Sequence, residues 1–289
     1  MTKRKKAAPK EYPRFRLAAR IEHAILMFSF TALALTGLPQ MFAEAPLGQN
    51  LIEWMGGIEF VRILHRWAAV ILVLGSVYHL FTSAYRLFVK EEKMGMLPER
   101  KDGRDLLHWV RYNLGREEHP PKMAKFNFGE KFEYWALVWG TGVMIITGFM
   151  LWNPIATTNI LPGQIIPAAQ AAHGGEALLA VLAIVVWHMY NVHIKHFNPS
   201  MFTGSLPRHQ MEEEHALEME RLDKGGKPWP ELDLPVLQRR RRNYIIISVI
   251  MGGLVLALLI WAFTFEETAL QTIDRATREI FVPLQTPSP

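Results

Sequence analysis

The sequence predicts an all-α integral membrane protein, a helical bundle with five transmembrane helices. Three observations predict it. Half of the 289 residues are hydrophobic, and they are gathered into blocks rather than spread along the chain. Five blocks, about 18–38, 61–83, 132–152, 173–193 and 243–264, reach or approach the roughly 20 apolar residues that cross the hydrocarbon. Basic residues fall in every second connection, as expected for chain segments held on one side of a membrane.

The first block begins RLAARIEHAILMFSFTALALTG after a basic head, MTKRKKAAPKEYPRFR. That layout also describes a signal peptide. No small-residue cleavage site of the A-x-A kind closes it, however, and its apolar stretch is long for a signal, so it is read as a retained span. The head carries Lys3, Arg4, Lys5, Lys6, Lys10, Arg14 and Arg16. The connection 84–131 is rich in Lys and Arg, and 194–242 ends in the run RRRR. In contrast, 39–60 holds only Glu44, Glu53 and Glu59, and 153–172 holds no charge. Positive connections stay in the cytoplasm. The expectation is therefore a multi-pass protein of the cytoplasmic (inner) membrane of a bacterium or archaeon, with its N-terminus in the cytoplasm and its C-terminus outside. The formal net charge of +5 then reflects topology rather than nucleic-acid binding, since no basic-aromatic groove pattern accompanies it.

Within the two long cytoplasmic connections, DGRDLLHWVRYNLG (102–115) sets Leu106, Leu107, Trp109, Val110 and Leu114 among charges. It reads as an amphipathic helix on the membrane surface. HQMEEEHALEMERLDKGG (209–226) reads as one polar helix ending at glycines. No internal repeat, low-complexity tract or soluble catalytic domain is evident. The chain divides into a membrane core with its loop 84–131 (1–205), a cytoplasmic connecting segment (206–242), and a fifth span with an outer tail (243–289).

There is no cysteine, which excludes c-type haem, Cys-ligated iron–sulfur clusters and disulfides in this chain. The eleven histidines are the remaining candidates for holding a redox centre. His65 and His79 lie at the outer and inner ends of the second span, and His173 and His188 at the outer and inner ends of the fourth. Their separations, 14 and 15 residues, return to nearly the same helix face and set the rings about 21 to 22 Å apart along the axis. Two helices can thus each offer a ligand at two depths. Ionisable groups inside a membrane are costly, and matched pairs point to function. The chemistry that fits is bis-histidine b-type haem, bound between helices by neutral imidazoles. A zinc or copper site in an ion transporter is the alternative, and it calls for acidic or sulfur partners at the same depth. Glu176 is the only acid inside the fourth span. A cofactor-free membrane anchor is the other non-redox alternative.

The stretches RIEHAILMFSFTALALTG, ILHRW, KFNFGEKFEYWALVWGTGVMIITGFMLW and HGGEALLAVLAIVVWHMY, in that order, resemble the four helices of the cytochrome b (gamma) subunit of membrane-bound formate dehydrogenase. Related subunits serve hydrogenases and thiosulfate reductases. The resemblance covers roughly 14–205 and implies a four-helix dihaem core. It implies that His65 and His173 hold an outer haem and that His23 and His188 hold an inner one. It implies a quinone, menaquinone or ubiquinone, beside the inner haem at Asn127, Gly129 and Glu130. Glu130 stands where the family has Gln, and a carboxylate there suits proton transfer to the quinone; the plain reading is a solvated acid beside Lys131. His79 has no counterpart in the family. By spacing it competes with His23 for the inner haem; it could also bond a propionate or hold a third haem. The fourth-helix spacing is one residue longer than the family pattern, which points to a local bulge.

The implied function is a dihaem b-type cytochrome subunit of a respiratory oxidoreductase complex. It is an electron-transfer subunit rather than a complete enzyme. Its expected partners are membrane lipid, quinone, and a periplasmic redox subunit, either an iron–sulfur protein or a multihaem cytochrome c. Gly37, Gly142 and Gly148 are candidates for close helix or haem approach. Arg20, Arg62 and Arg66 are candidate propionate partners or snorkelling cations. Trp135, Trp139, Trp152 and Trp187 are read as interface and packing aromatics. His193 and His196 are read as surface residues. The fifth span has no ionisable residue inside it and is expected to pack through Gly252 and Gly253.

Overall fold

The computed structural model describes residues 11–230 and 233–263. Most of the basic head and the tail 264–289, expected to meet an outer partner, lie outside the described residues. A strand, β1 (Glu11–Pro13), leads into α1 (Leu17–Met41); α2 (Pro46–Trp54) then turns the chain into α3 (Ile58–Phe88). Next come α4 (Arg100–Asn113), α5 (Phe128–Trp152) and the short α6 (Pro154–Thr158). The following helix, α7 (Ile165–Leu182), continues through π-helical turns at Ala183–His188 and Tyr190–Ile194. The connecting segment holds α8 (Ser200–Thr203), β2 (Ser205–Pro207), α9 (Arg208–Glu214) and α10 (Ala216–Asp223), before α11 (Leu234–Phe263).

Five of these helices are long and apolar enough to cross a membrane: α1, α3, α5, α7 with its π-helical extension, and α11. They contain the five apolar blocks, save residue 264, which lies outside the described residues, and extend beyond most of them by a turn or two. Their outward surfaces keep large apolar side chains exposed, among them Phe28, Trp67, Leu80 and Trp139. A helix that is apolar on nearly every side belongs in lipid. The bundle is built from two antiparallel pairs, α1 with α3 and α5 with α7, which meet where α1 packs on α7. The hydroxyls of Ser29, Thr36, Ser76 and Thr147 inside the spans donate back to carbonyls four residues earlier, so they carry no unsatisfied donor into the apolar layer. α11 packs outside the four-helix core on α3. Tyr244 donates to the Phe81 carbonyl at 2.5 Å, and Gly252 lies toward the Phe81 ring, whereas Gly253 faces open space.

The surface-helix expectation at 102–115 corresponds to α4. Glu99 and Asp102 form a reciprocal capping box at its start, and Gly115, at φ 70°, follows its end. The single polar helix expected at 209–226 is two helices. His215 breaks it because its ring and its neighbour dock on an extended segment: His215 Nδ1 bonds Ala124 O at 3.0 Å and Leu217 N bonds Met123 O at 3.0 Å. The glycine stop is present, with Gly225 at φ 88°. The two short strands pair antiparallel, Tyr12 opposite Leu206, and close a small core of Tyr12, Leu206, Met211, Met219 and Leu222. Tyr12 donates to Asp223 at 2.6 Å and accepts from Arg208 at 2.7 Å. This cap covers the basic end of the bundle, where α1 and α5 begin and α3 and α7 end.

The two helix pairs also carry a repeat that inspection of the sequence alone does not reveal. Glu22 and Thr36-Gly37 on α1 match Glu133 and Thr147-Gly148 on α5, both 14 residues apart. Each threonine meets a histidine of the partner helix, His65 or His173, and each glutamate meets a second one, His79 or His188. Apart from Leu26 and Leu137, the remaining positions share no identity, and most are only apolar in both stretches, as in any span.

Candidate functional site

At the end of the bundle opposite the cap, His65 from α3 and His173 from α7 face each other with ring centres 6.4 Å apart. At the basic end, His23 from α1 and His188 from α7 do the same, again at 6.4 Å. A metal ion bonds imidazole nitrogen at ~2 Å, and each ring centre lies ~1 Å beyond its nitrogen, so an iron held between two imidazoles sets their centres about 6 Å apart. Both pairs therefore have the spacing of axial ligands.

The protonation of these rings follows from their neighbours. The Thr36 hydroxyl donates to Ala32 O at 2.6 Å, so its oxygen is left to accept from His65 Nδ1–H, 2.9 Å away. Thr147 repeats this arrangement, donating to Val143 O at 2.6 Å and accepting from His173 Nδ1–H at 2.9 Å. A carboxylate oxygen of Glu133 accepts from His188 Nδ1–H at 3.2 Å. In each case Nε2 keeps its lone pair for a metal, and the second group orients the ring. Glycine makes room for two of these rings. A Cβ at Gly37 would lie 3.0 Å from His65 Cε1, and one at Gly148 would lie 3.3 Å from His173 Cε1. Gly142 faces open space and has no such part. The residues present thus fit two bis-histidine haems.

His79 is placed differently. Its Nδ1–H donates to Glu22 at 2.7 Å, and its Nε2 accepts from the Tyr134 hydroxyl at 3.1 Å. With both nitrogens used, His79 has no lone pair for iron in this arrangement. Tyr134 stands in α5 where His23 stands in α1, each directly after its glutamate, so His79···Tyr134 is the counterpart of His188···His23. Sequence reading missed the Glu22 and Glu133 partners, whose contacts span 57 and 55 residues of chain. An acid next to His23 in an otherwise apolar span was the available signal.

The other expected site residues sort as follows. Asn127 caps α5: its side chain accepts from Glu130 N at 2.8 Å, and Glu130 accepts from Asn127 N at 2.9 Å. Glu130 is partly exposed, and it is paired away from Lys131. Its Oε1 pairs with buried Arg14 at 2.7 Å, while Lys131 pairs with Asp102 at 2.9 Å. Gly129 faces Trp187, the residue before His188, with 3.9 Å from a Cβ position to that ring. Gly129 and Glu130 therefore lie about one turn of α5 before Glu133, and Gly129 faces the π-helical segment that carries His188. The bulge expected from the fourth-helix spacing coincides with the π-helical turns around His188, where such turns re-aim a side chain.

Arg20 bonds the carbonyls of Met201 and Phe202, so it holds α8 in place. Arg66 lies over the Trp152 ring, 4.7 Å from its centre. Trp135 donates to Met96 O at 2.9 Å, an anchoring contact, and His196 bonds Glu213 at the surface at 2.9 Å. Among the described residues no group of three or more His, Asp or Glu side chains converges as a zinc or copper site would require. Glu176 packs against Gly140.

The chain is similar to known b-type cytochromes. Residues 14–204 match the family model described as prokaryotic cytochrome b561. The chain is 24% identical over 194 residues to the cytochrome b556 subunit of the nitrate-inducible formate dehydrogenase of Escherichia coli K12, covering 67% of this chain and 83% of that protein. It is 25% identical over 181 residues to a second formate dehydrogenase cytochrome b556 subunit of the same organism, covering 61% and 76%. A formate dehydrogenase cytochrome b556 subunit of Haemophilus influenzae is 23% identical over 177 residues, covering 61% and 68%.

Proposed function

We propose, from the premise that the chain belongs to the prokaryotic cytochrome b561 family, that it moves electrons through two b-type haems between a quinone at its basic end and a redox subunit at the other. The chain is a multi-pass membrane b-type cytochrome subunit of respiratory electron transfer. The observation that carries the two-haem reading is the pair of facing imidazoles at each end, both at 6.4 Å.

Bound haem supplies one-electron iron chemistry, which the chain's own side chains lack. His65 and His173 hold one such group, with Thr36 and Thr147 fixing their tautomers. His23 and His188 hold the other, with Glu133 orienting His188. Asn127, Gly129 and Glu130 receive menaquinone or ubiquinone beside the second pair. Glu130 is the group suited to exchange a proton with a quinone oxygen. The surrounding apolar helices exclude water from both sites.

The basic end, with 84–131 and 194–242, faces the cytoplasm of the inner membrane, and the opposite end faces a periplasmic iron–sulfur protein or multihaem cytochrome c. The relatives are named as formate dehydrogenase subunits, which supports a dehydrogenase partner. The division into core (1–205), connecting segment (206–242) and fifth span with tail (243–289) is kept as the functional layout.

The test is anaerobic mixing of membranes holding the full chain with a short-chain menaquinol or ubiquinol, followed by haem absorbance. The reading expects haem reduction by quinol in the native protein. His188→Ala should abolish it while leaving a dithionite-reducible b-type haem at the other end. Haem that dithionite reduces and neither quinol reduces would overturn the quinone assignment.

A further inference from the structure

Beneath the cap, His215 is 0% exposed, and its Nε2 has no hydrogen-bond partner. The other ring nitrogen settles its state. Nδ1 lies 3.0 Å from Ala124 O, which only accepts, so Nδ1 carries the hydrogen and Nε2 presents a lone pair in the neutral ring. That lone pair faces Glu130 Oε1 at 3.8 Å. His215 Nε2 is buried, whereas the Glu130 side chain is about a third exposed and its Oε1 already accepts from Arg14; both atoms are acceptors, and a proton on either lets the 3.8 Å gap close to a hydrogen bond. Arg14, itself buried, pairs with the same Glu130 oxygen at 2.7 Å and also donates to Lys125 O. The arrangement is a slot for a single proton: Arg14 and Glu130 cancel when it is empty, and the cluster carries one positive charge when it is filled.

A line of titratable groups leads outward from this slot. Glu214, next in the chain, is partly buried, and burial and then the Glu130 charge raise its carboxyl above the usual range, while Lys195 and His196 act against this. His196 reaches Glu213 at the surface. Burial and then the Arg14 charge hold the His215 ring at a pKa of about 4, against the pull of Glu130 and Glu218. A proton arriving there is therefore passed on rather than kept. Lys125, also beside Arg14, is lowered by burial and by that same charge.

We propose that Glu130 and His215 form a one-proton way station carrying protons between the quinone and solvent at the basic end. The inference rests on the quinone reading above. His215 lies beyond the residues that match the family, so α9 and α10 bring the second half of the station to the cytochrome core. When quinol is oxidised, each hydroxyl proton passes in turn to Glu130 Oε1 and then to His215 Nε2, and the two electrons pass to the haem chain. Reduction of quinone runs the same transfers backward.

His215→Asn separates this role from folding, because an Asn amide can still donate to Ala124 O while Nε2 is removed. The experiment measures the rate of haem reduction by water-soluble quinol against pH and quinol concentration, in membranes holding the full chain, with haem content checked by reduced spectrum. The proposal expects His215→Asn to be fully haem-loaded, with an unchanged apparent KM for quinol, a rate at least about tenfold lower, and one pH step lost from the profile. Glu130→Gln should lose the same step. A haem-loaded His215→Asn with the native rate and pH profile would overturn the proposal while leaving the quinone site intact. If His215→Asn loses haem, His215→Gln, measured the same way, decides by the same two outcomes. Native protein that no quinol reduces would remove both readings together.

Discussion

The two ends of the bundle use the same repeated parts, yet they differ. At the end away from the cap the repeat is kept: His65 and His173 come from matching positions of α3 and α7, and matching Thr-Gly pairs on α1 and α5 hold and admit them. At the basic end it is broken. Repetition would set two crossed pairs there, His23 with His188 and residue 134 with His79. Residue 134 is a tyrosine, and its hydroxyl closes on His79 at 3.1 Å, too short to admit a metal between them. One substitution within the repeat thus leaves one ligand pair and one locked hydrogen-bonded chain, Glu22–His79–Tyr134. The two ligand environments differ as well, with neutral threonines at one end and a carboxylate at the other.

The strongest way to break the comparison is to remove ligands. His173→Ala should cost the haem away from the cap and His188→Ala the one at the basic end, each lowering haem per chain from two to one. His79→Ala should keep both. One haem remaining in His79→Ala, with two in His23→Ala, would invert the basic-end assignment.

Removing the orienting groups should act less. Thr36→Val or Thr147→Val is expected to weaken haem retention at the end away from the cap by about 10- to 100-fold, the usual effect of losing a group that orients a metal ligand. Glu133→Gln should raise the midpoint potential of the basic-end haem, because His188 loses the carboxylate that strengthens it as a donor. Haem content against added haem reads the first and redox titration followed by absorbance the second; an unchanged basic-end potential in Glu133→Gln would show that the carboxylate does not tune His188.

Space should act less again. Gly37→Ala places a methyl 3.0 Å from His65 and should weaken haem binding at that end, whereas Gly142→Ala meets nothing within 4 Å and should leave haem content unchanged. The smallest effect concerns the cap. Burial first, and then the bond to Asp223, raise Tyr12 from 10.0 to about 12. A raised acid contributes stability that is present below its unfolded pKa and lost as pH rises through the folded one. The cap should therefore loosen between about pH 10 and 12, and thermal release of haem should shift first at the basic end. Tyr12→Phe should reduce that dependence and cost about 1 kcal/mol near neutral pH from the lost hydrogen bond.

The spans, their order and the candidate histidines were legible because apolar runs and intramembrane ionisable groups are local signals. The role of His79 was not, because Glu22 and Tyr134 reach it from other helices, and spacing along α3 cannot distinguish a ligand from a hydrogen-bonded ring. The repeat was hidden for a related reason. Its signature is a glutamate and a Thr-Gly pair in a background whose apolar residues lipid alone would select. The break in the polar helix at His215 was not legible, because docking on Met123 and Ala124 overrides local propensity there. The Glu130–Arg14 pair was not legible because its partners lie 116 residues apart.

The most direct test of the central claim is haem per chain in the purified native protein, by pyridine haemochrome with a dithionite-reduced minus oxidised spectrum. Two facing histidine pairs predict a b-type spectrum with two haems per chain. A folded protein with no haem, or with only one, would contradict the account, and three would show that His79 binds iron.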